Sequence, residues 1–392
     1  MGDATVLSGY FSADTCSLGA FEALTARELK PEQVPLAAGV SGNIPIYDMN
    51  ARAADLSDAD ACRALMEEWA DVLMNSAGAI AIKGAMTDLD AIDDATRVYE
   101  EIIVEERAAS GGGADHFAAA GANDRIWNSA QKLCAAAPDV FAAYFGAPVV
   151  DAVCRAWLGP NYQMTAQVNL VRPGGKAQQA HRDYHLGFQT AETSELYPAH
   201  VHKLSPVLTL QGAIAHTDMP IESGPTKLLP FSQLFEAGYT AWRRDDFRAL
   251  FEERHVQIPL NKGDALFFNP ALFHAAGENR TQDIHRMANL LQISSAFGRA
   301  METLDRAAMS VRLYPVLRDM MLHQRLSGPR AVAAIAACAE GYPFPTNLDT
   351  DPPAGGLAPE SQADLFRRAL TEGWASEKFA EAVAAQEARR EA

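Results

Sequence analysis

Residues 163–171, QMTAQVNLV, alternate without a break. Met164, Ala166, Val168 and Leu170 fall on one side, and Thr165, Gln167 and Asn169 on the other. Only an extended strand repeats its side chains with period two, so this stretch predicts a β-strand with one apolar and one polar face. Four more strand signals follow: PVLTLQGAIAH (206–216), HVQIPL (255–260), DALFFN (264–269) and RMANLLQIS (286–294). Turn signals such as ESGPT and NKGD separate them. The strands cluster instead of alternating with helices. That favours an antiparallel jelly-roll or cupin-like barrel over a parallel βαβ sheet.

Helical patterns flank this block. SDADACRALMEEWADVLMNSAG begins at Ser57, a candidate N-cap, with acidic residues in its first turn. AIAIKG (79–84) reads as a short strand, TDLDAIDDATRVYEEIIVEERAAS as a helix, and SGGGAD (110–115) as a lid or linker loop. Helices run on to Gly159-Pro160 and return after residue 298. Between the last ones, GYPFPTNLDTDPPAGGLAP is expected to run extended over the surface. The expected class is therefore α+β: a double-stranded β-helix with surrounding helices and a helical C-terminal extension. Its parts are an N-terminal extension (1–56), the jelly-roll domain with its N-terminal helices (57–298), and the extension (299–392).

Composition narrows the partners. A net charge of −17 over 392 residues speaks against nucleic-acid binding, which needs basic patches to displace phosphate counterions. No apolar run approaches the roughly 20 residues of a membrane span. The five cysteines are scattered without a CxxC pair, and MGDATVLSGYFSADT has no basic start followed by an apolar run. A reducing, cytoplasmic location and no membrane contact are the expectations.

The chemistry concentrates in AQQAHRDYHLGFQ, where His181 and Asp183 share one face of an extended segment. One imidazole and one carboxylate from a single strand end can chelate a metal, given a third ligand from a returning strand. His274, just after DALFFN, supplies it. Two histidines and a carboxylate form the facial triad of non-haem Fe(II) oxygenases, which leaves coordination positions open for cosubstrate and O₂. Arg286 opens the next strand, twelve residues on, where a hairpin returns it beside the metal. A guanidinium there suits the distal carboxylate of 2-oxoglutarate.

The stretches AHRDYHLGF, IESGPTKLLPFSQ and KGDALFFNPALFHAAGENRTQDIHRMANLLQIS together resemble the phytanoyl-CoA dioxygenase family of Fe(II)/2-oxoglutarate-dependent oxygenases. The resemblance spans roughly residues 60 to 296, with PFSQ standing where the family has a PGSH-like turn. It implies iron ligands at His181, Asp183 and His274, a 2-oxoglutarate clamp at Arg286 (Arg280 as fallback), and cosubstrate contact at Asn169. Gln178 is a further candidate for the cosubstrate side. Tyr184, His185, Phe188 and Gln211 are candidates for the substrate pocket, with a structural hydrogen-bonding role also open to His185. The implied activity is hydroxylation or oxidative dealkylation of a small organic molecule, with succinate and CO₂ released. The presence of Asp183 favours this over halogenation, whose enzymes carry a small residue at that position. The alternative is a cupin-like metal protein without oxygenase activity, an isomerase or a binding protein. The hundred residues after the barrel are expected to cover the active site or to form a homodimer contact.

Overall fold

The computed structural model describes residues 9–110 and 123–391. Most of the SGGGAD loop therefore lies outside the described residues. The strands are β1 (Gly39–Ser41), β2 (Ile44–Asp48), β3 (Ala79–Lys83), β4 (Asn123–Ile126), β5 (Gln163–Val171), β6 (Thr209–Ala215), β7 (Lys227–Leu229), β8 (Val256–Gln257), β9 (Ala265–Phe268), β10 (Phe273–Ala275) and β11 (Arg286–Ser294). They form a large sheet, β1-β2-β3-β9-β6-β11-β5-β4, and a small one, β10-β7-β8. Every pairing is antiparallel except β2 with β3. The result is the α+β, double-stranded β-helix arrangement with helices packed outside. β1 and β2 come from before residue 57 and extend the same large sheet.

Two strand expectations shorten, and proline explains both. Residues 199–207 form a helix that contains Pro206, so β6 starts only at Thr209. β6 is paired on both edges, where a residue without an N–H would break the ladder. In HVQIPL only Val256 and Gln257 pair, because Pro259 stops the ladder and Leu260 makes just a single bridge to Met219.

The alternation in β5 sets the two sides of the large sheet. Met164, Ala166 and Val168 join the main apolar core beneath the helices. On the neighbouring β11, Asn289 faces that same side and bonds Tyr144 Oη and Ser129 Oγ. The other face looks into the barrel. There the register aligns Gln211 with Gln292, Gln292 with Thr165, Leu290 with Gln167, Ala288 with Asn169, and Asn169 with Arg125. Asn169 and Leu290, although on inner strands, keep partial exposure, which marks an accessible interior.

The C-terminal helices Arg306–Leu322 and Gly328–Cys338 pack on the outer, helical side, against Pro138–Phe145 and β5. Arg306 donates to Met164 O at 2.9 Å. Glu302 Oε1 accepts from Asn128 N at 2.7 Å. No single helix among the described residues is long and apolar enough to cross a membrane.

Candidate metal centre

His181 lies outside any regular strand. It forms an isolated bridge with His274, whose backbone partners it at 3.0 and 3.1 Å. The two-residue alternation still holds locally: His181 and Asp183 point one way and Arg182 the other. Arg182 is 1% exposed and anchors the segment. Its Nη2 donates to Ser232 O at 2.6 Å and Phe235 O at 2.9 Å, and its guanidinium lies 5.1 Å from the Tyr239 and Phe273 ring centroids. Gly238 is required here, because a Cβ would fall 2.0 Å from the guanidinium carbon. The sequence reading missed Arg182; its place between the two candidate ligands was the available signal.

Directly after Asp183 the backbone turns left-handed at two consecutive non-glycine residues, Tyr184 (φ 61°) and His185 (φ 43°). Such conformations cost of order 1–3 kcal/mol each and persist only where packing over-determines them. The turn ends the extended run and carries His185 off the ligand face. Its Nδ1 meets Ser205 Oγ at 3.1 Å, and burial lowers its pKa.

One ligand atom each from His181, Asp183 and His274 lies within 4.8 Å of the others. His181 Nε2 is 3.6 Å from Asp183 Oδ1, and His274 Nε2 is 3.3 Å from Asp183 Oδ2. Both Nδ1 atoms face backbone carbonyls, Gln179 O at 2.8 Å and Leu272 O at 2.9 Å. A carbonyl can only accept, so each Nδ1 carries the proton and each Nε2 presents its lone pair. Burial pushes the His181 pKa down, which favours that neutral form. Burial by itself would raise the Asp183 pKa, but the positive charge that His181 and His274 carry when protonated, together with the Gln211 amide, outweighs it and holds the carboxyl well below its usual range. Two lone pairs and a carboxylate converging on one point, each imidazole steered by a carbonyl behind it, is a donor set that fits a divalent cation.

Arg286 begins β11 on the barrel side and is 7% exposed. Its Nη1 donates to Ser223 O (2.8 Å) and Gly277 O (3.3 Å). Burial lowers its pKa to about 10, so it stays charged at neutral pH. Among the described residues it forms no ion pair. A buried cation without a counter-charge is costly, and that leaves its remaining donors suited to an anion. Arg280 is exposed, with its backbone N–H on Glu222 O.

Other candidates divide. Asn169 lies between Ala288 and Arg125, with its Oδ1 buried and unpartnered among the described residues. Gln211 donates to Asp183 Oδ2 at 2.5 Å. The Tyr184 hydroxyl is buried without a partner among the described residues, and Phe188 is half-exposed with its ring 6.2 Å from that of Tyr184. Gln178 spends its carbonyl oxygen on Ala276 N at 3.3 Å, at the end of β10. A second inward arginine, Arg125, went unnoticed in the sequence. It donates to Gln167 Oε1 at 2.9 Å, and Gln167 in turn donates to Gln292 Oε1 at 3.0 Å.

Two fungal proteins are similar to part of this chain. Dioxygenase trt7 of Aspergillus terreus (strain NIH 2624 / FGSC A1156) is 29% identical over 151 residues, 38% of this chain and 46% of that protein. Dioxygenase olcK of Penicillium canescens is 32% identical over 140 residues, 35% and 40% of the two lengths. The matched region thus spans less than half the length of these relatives. Among solved structures, the epimerase SnoN in complex with Fe3+, alpha ketoglutarate and nogalamycin RO aligns with TM-score 0.42 and 17% identity, covering 60% of this chain and 85% of that one. The family model for phytanoyl-CoA dioxygenase (PhyH) matches residues 74–288, more than half of the chain and all four of His181, Asp183, His274 and Arg286. The chain belongs to the phytanoyl-CoA dioxygenase (PhyH) family.

Proposed function

We propose that the protein is an Fe(II)- and 2-oxoglutarate-dependent oxygenase that oxidises an unactivated C–H bond of a small organic molecule. The observation that carries this reading is the convergence of His181 Nε2, His274 Nε2 and the Asp183 carboxylate, with both Nδ1 protons tied to carbonyls. These three residues would hold the iron. When bound there, iron and 2-oxoglutarate supply oxidative decarboxylation to succinate and CO₂, coupled to oxidation of the substrate.

The chain's own residues divide the remaining work. Arg286, buried and without an ion-pair partner among the described residues, receives the distal carboxylate of 2-oxoglutarate, with Asn169 on the adjacent strand. Across the barrel, the Tyr184 hydroxyl and Gln211 Oε1 offer polar atoms to a substrate. Asp183 favours hydroxylation, or dealkylation through a hydroxylated product, because the carboxylate fills the position a halide would need.

The test is an anaerobic titration of the Fe(II)-loaded protein with 2-oxoglutarate. The expected result is a weak visible charge-transfer band, together with succinate release under air against a panel of small molecules. Folded protein that binds Fe(II) but gives no band would favour the non-oxygenase metal protein.

A further inference from the structure

Gln211 sits on β6, held on both sides by β9 and β11, with Phe268 and Gln292 as its register partners. Its backbone has little freedom to shift. From this fixed point the side chain crosses the barrel to Asp183, which follows no strand and precedes the left-handed turn at Tyr184 and His185. A carboxylate accepts only, so the contact at 2.5 Å identifies the Gln211 atom as the amide nitrogen. Its Oε1 is then turned away from Asp183 and is buried without a partner among the described residues. An unpaired buried carbonyl oxygen disfavours the fold. The amide bond to Asp183 is thus offset by an unpaired oxygen, and stability alone does not account for Gln211.

We infer that Gln211 is a positioning residue for the metal centre. Its amide pins Asp183 Oδ2 and fixes the rotation of the carboxylate, so that Oδ1 is presented beside His181 Nε2. This rests on the metal-centre reading above. The imidazoles have their orienting partners in the carbonyls of Gln179 and Leu272. Gln211 completes the set for the third ligand. Loss of such outer partners typically weakens metal binding 10- to 100-fold.

The experiment uses full-length apo protein and Co(II), read by its visible absorption and by calorimetry, without turnover. In Gln211→Met the side chain keeps its length and loses the donor. Co(II) affinity is expected to fall about 10- to 100-fold with an altered visible band. The apo protein should melt close to the wild-type temperature, because losing the unpaired oxygen offsets losing the amide bond to the Asp183 carboxylate. Wild-type affinity and spectrum in Gln211→Met would overturn the inference. So would a fall in apo stability with Co(II) binding unchanged, the result of a structural role. His274→Ala serves as the control and should lose Co(II). If wild type itself fails to bind Co(II), the metal centre falls, and the role of Gln211 with it.

Discussion

Replacing Arg286 by lysine keeps the charge and removes the fork. Nη1 already serves Ser223 O and Gly277 O, which leaves the Nε and Nη2 edge to face an anion. A lysine ammonium carries three donors on one nitrogen, and holding the same two carbonyls leaves at most one for a carboxylate. One charge-assisted hydrogen bond is then lost, worth about 1.5–3 kcal/mol, or roughly ten- to hundredfold in affinity. The assay is the anaerobic charge-transfer titration of Fe(II)-loaded protein with 2-oxoglutarate. Its midpoint should rise by that factor in Arg286→Lys, with Fe(II) binding unchanged, because Arg286 contacts none of the three metal-site residues. Arg280→Lys should be silent, since that side chain is exposed. An unmoved midpoint in Arg286→Lys, alongside a raised one in Arg125→Lys, would shift the clamp to β4. If neither substitution matters, the protein does not bind 2-oxoglutarate as proposed.

His181→Ala, Asp183→Ala and His274→Ala should each abolish succinate release while circular dichroism stays native; any variant that keeps near-normal turnover removes that residue from the ligand set. Asp183→Glu should be nearly as damaging, since the longer arm misplaces the carboxylate that Gln211 holds. Arg182→Met removes the side-chain donors to the Ser232 and Phe235 carbonyls, leaving each with only its backbone N–H partner, and should cost about 1–3 kcal/mol in urea unfolding, with weaker Co(II) binding as the 181–183 segment loosens. His216, buried between Thr96 and Tyr144, has its pKa pushed down to about 3 by burial, with Lys262 adding to the effect. The unfolded chain binds this proton more readily, so the His216 contribution to stability is complete above about pH 6.5 and is lost as pH falls toward 3, by about 1.4 kcal/mol per unit. In His216→Gln the loss of stability between pH 6.5 and 5 should be smaller by about 2 kcal/mol; equal losses in both proteins would refute the assignment.

Local rules reached much of this protein. Strict alternation in 163–171 predicts β5, and its faces follow from period two alone. The same period puts His181 and Asp183 on one side even though no regular strand forms there. His274 and Arg286 were legible because each sits at the edge of a strong strand signal. Contacts between distant segments were not. Nothing in QMTAQVNLV or DALFFN says that β1 and β2 extend their sheet, because strand pairing depends on edges supplied elsewhere. Pro206 and Pro259 trim two strands only because the neighbouring ladders demand an N–H. Arg182 reads as an ordinary cation until Ser232, Phe235 and Gly238 close around it, some fifty residues on. The Gln211 amide meets Asp183 across 28 residues of chain, and His274 reaches the same carboxylate across 91. The residue types and their local period set which side chains could bind a metal. Closing the barrel decided which of them meet and what holds them in place, because hydrogen bonds and burial between distant segments exist only once both are brought together.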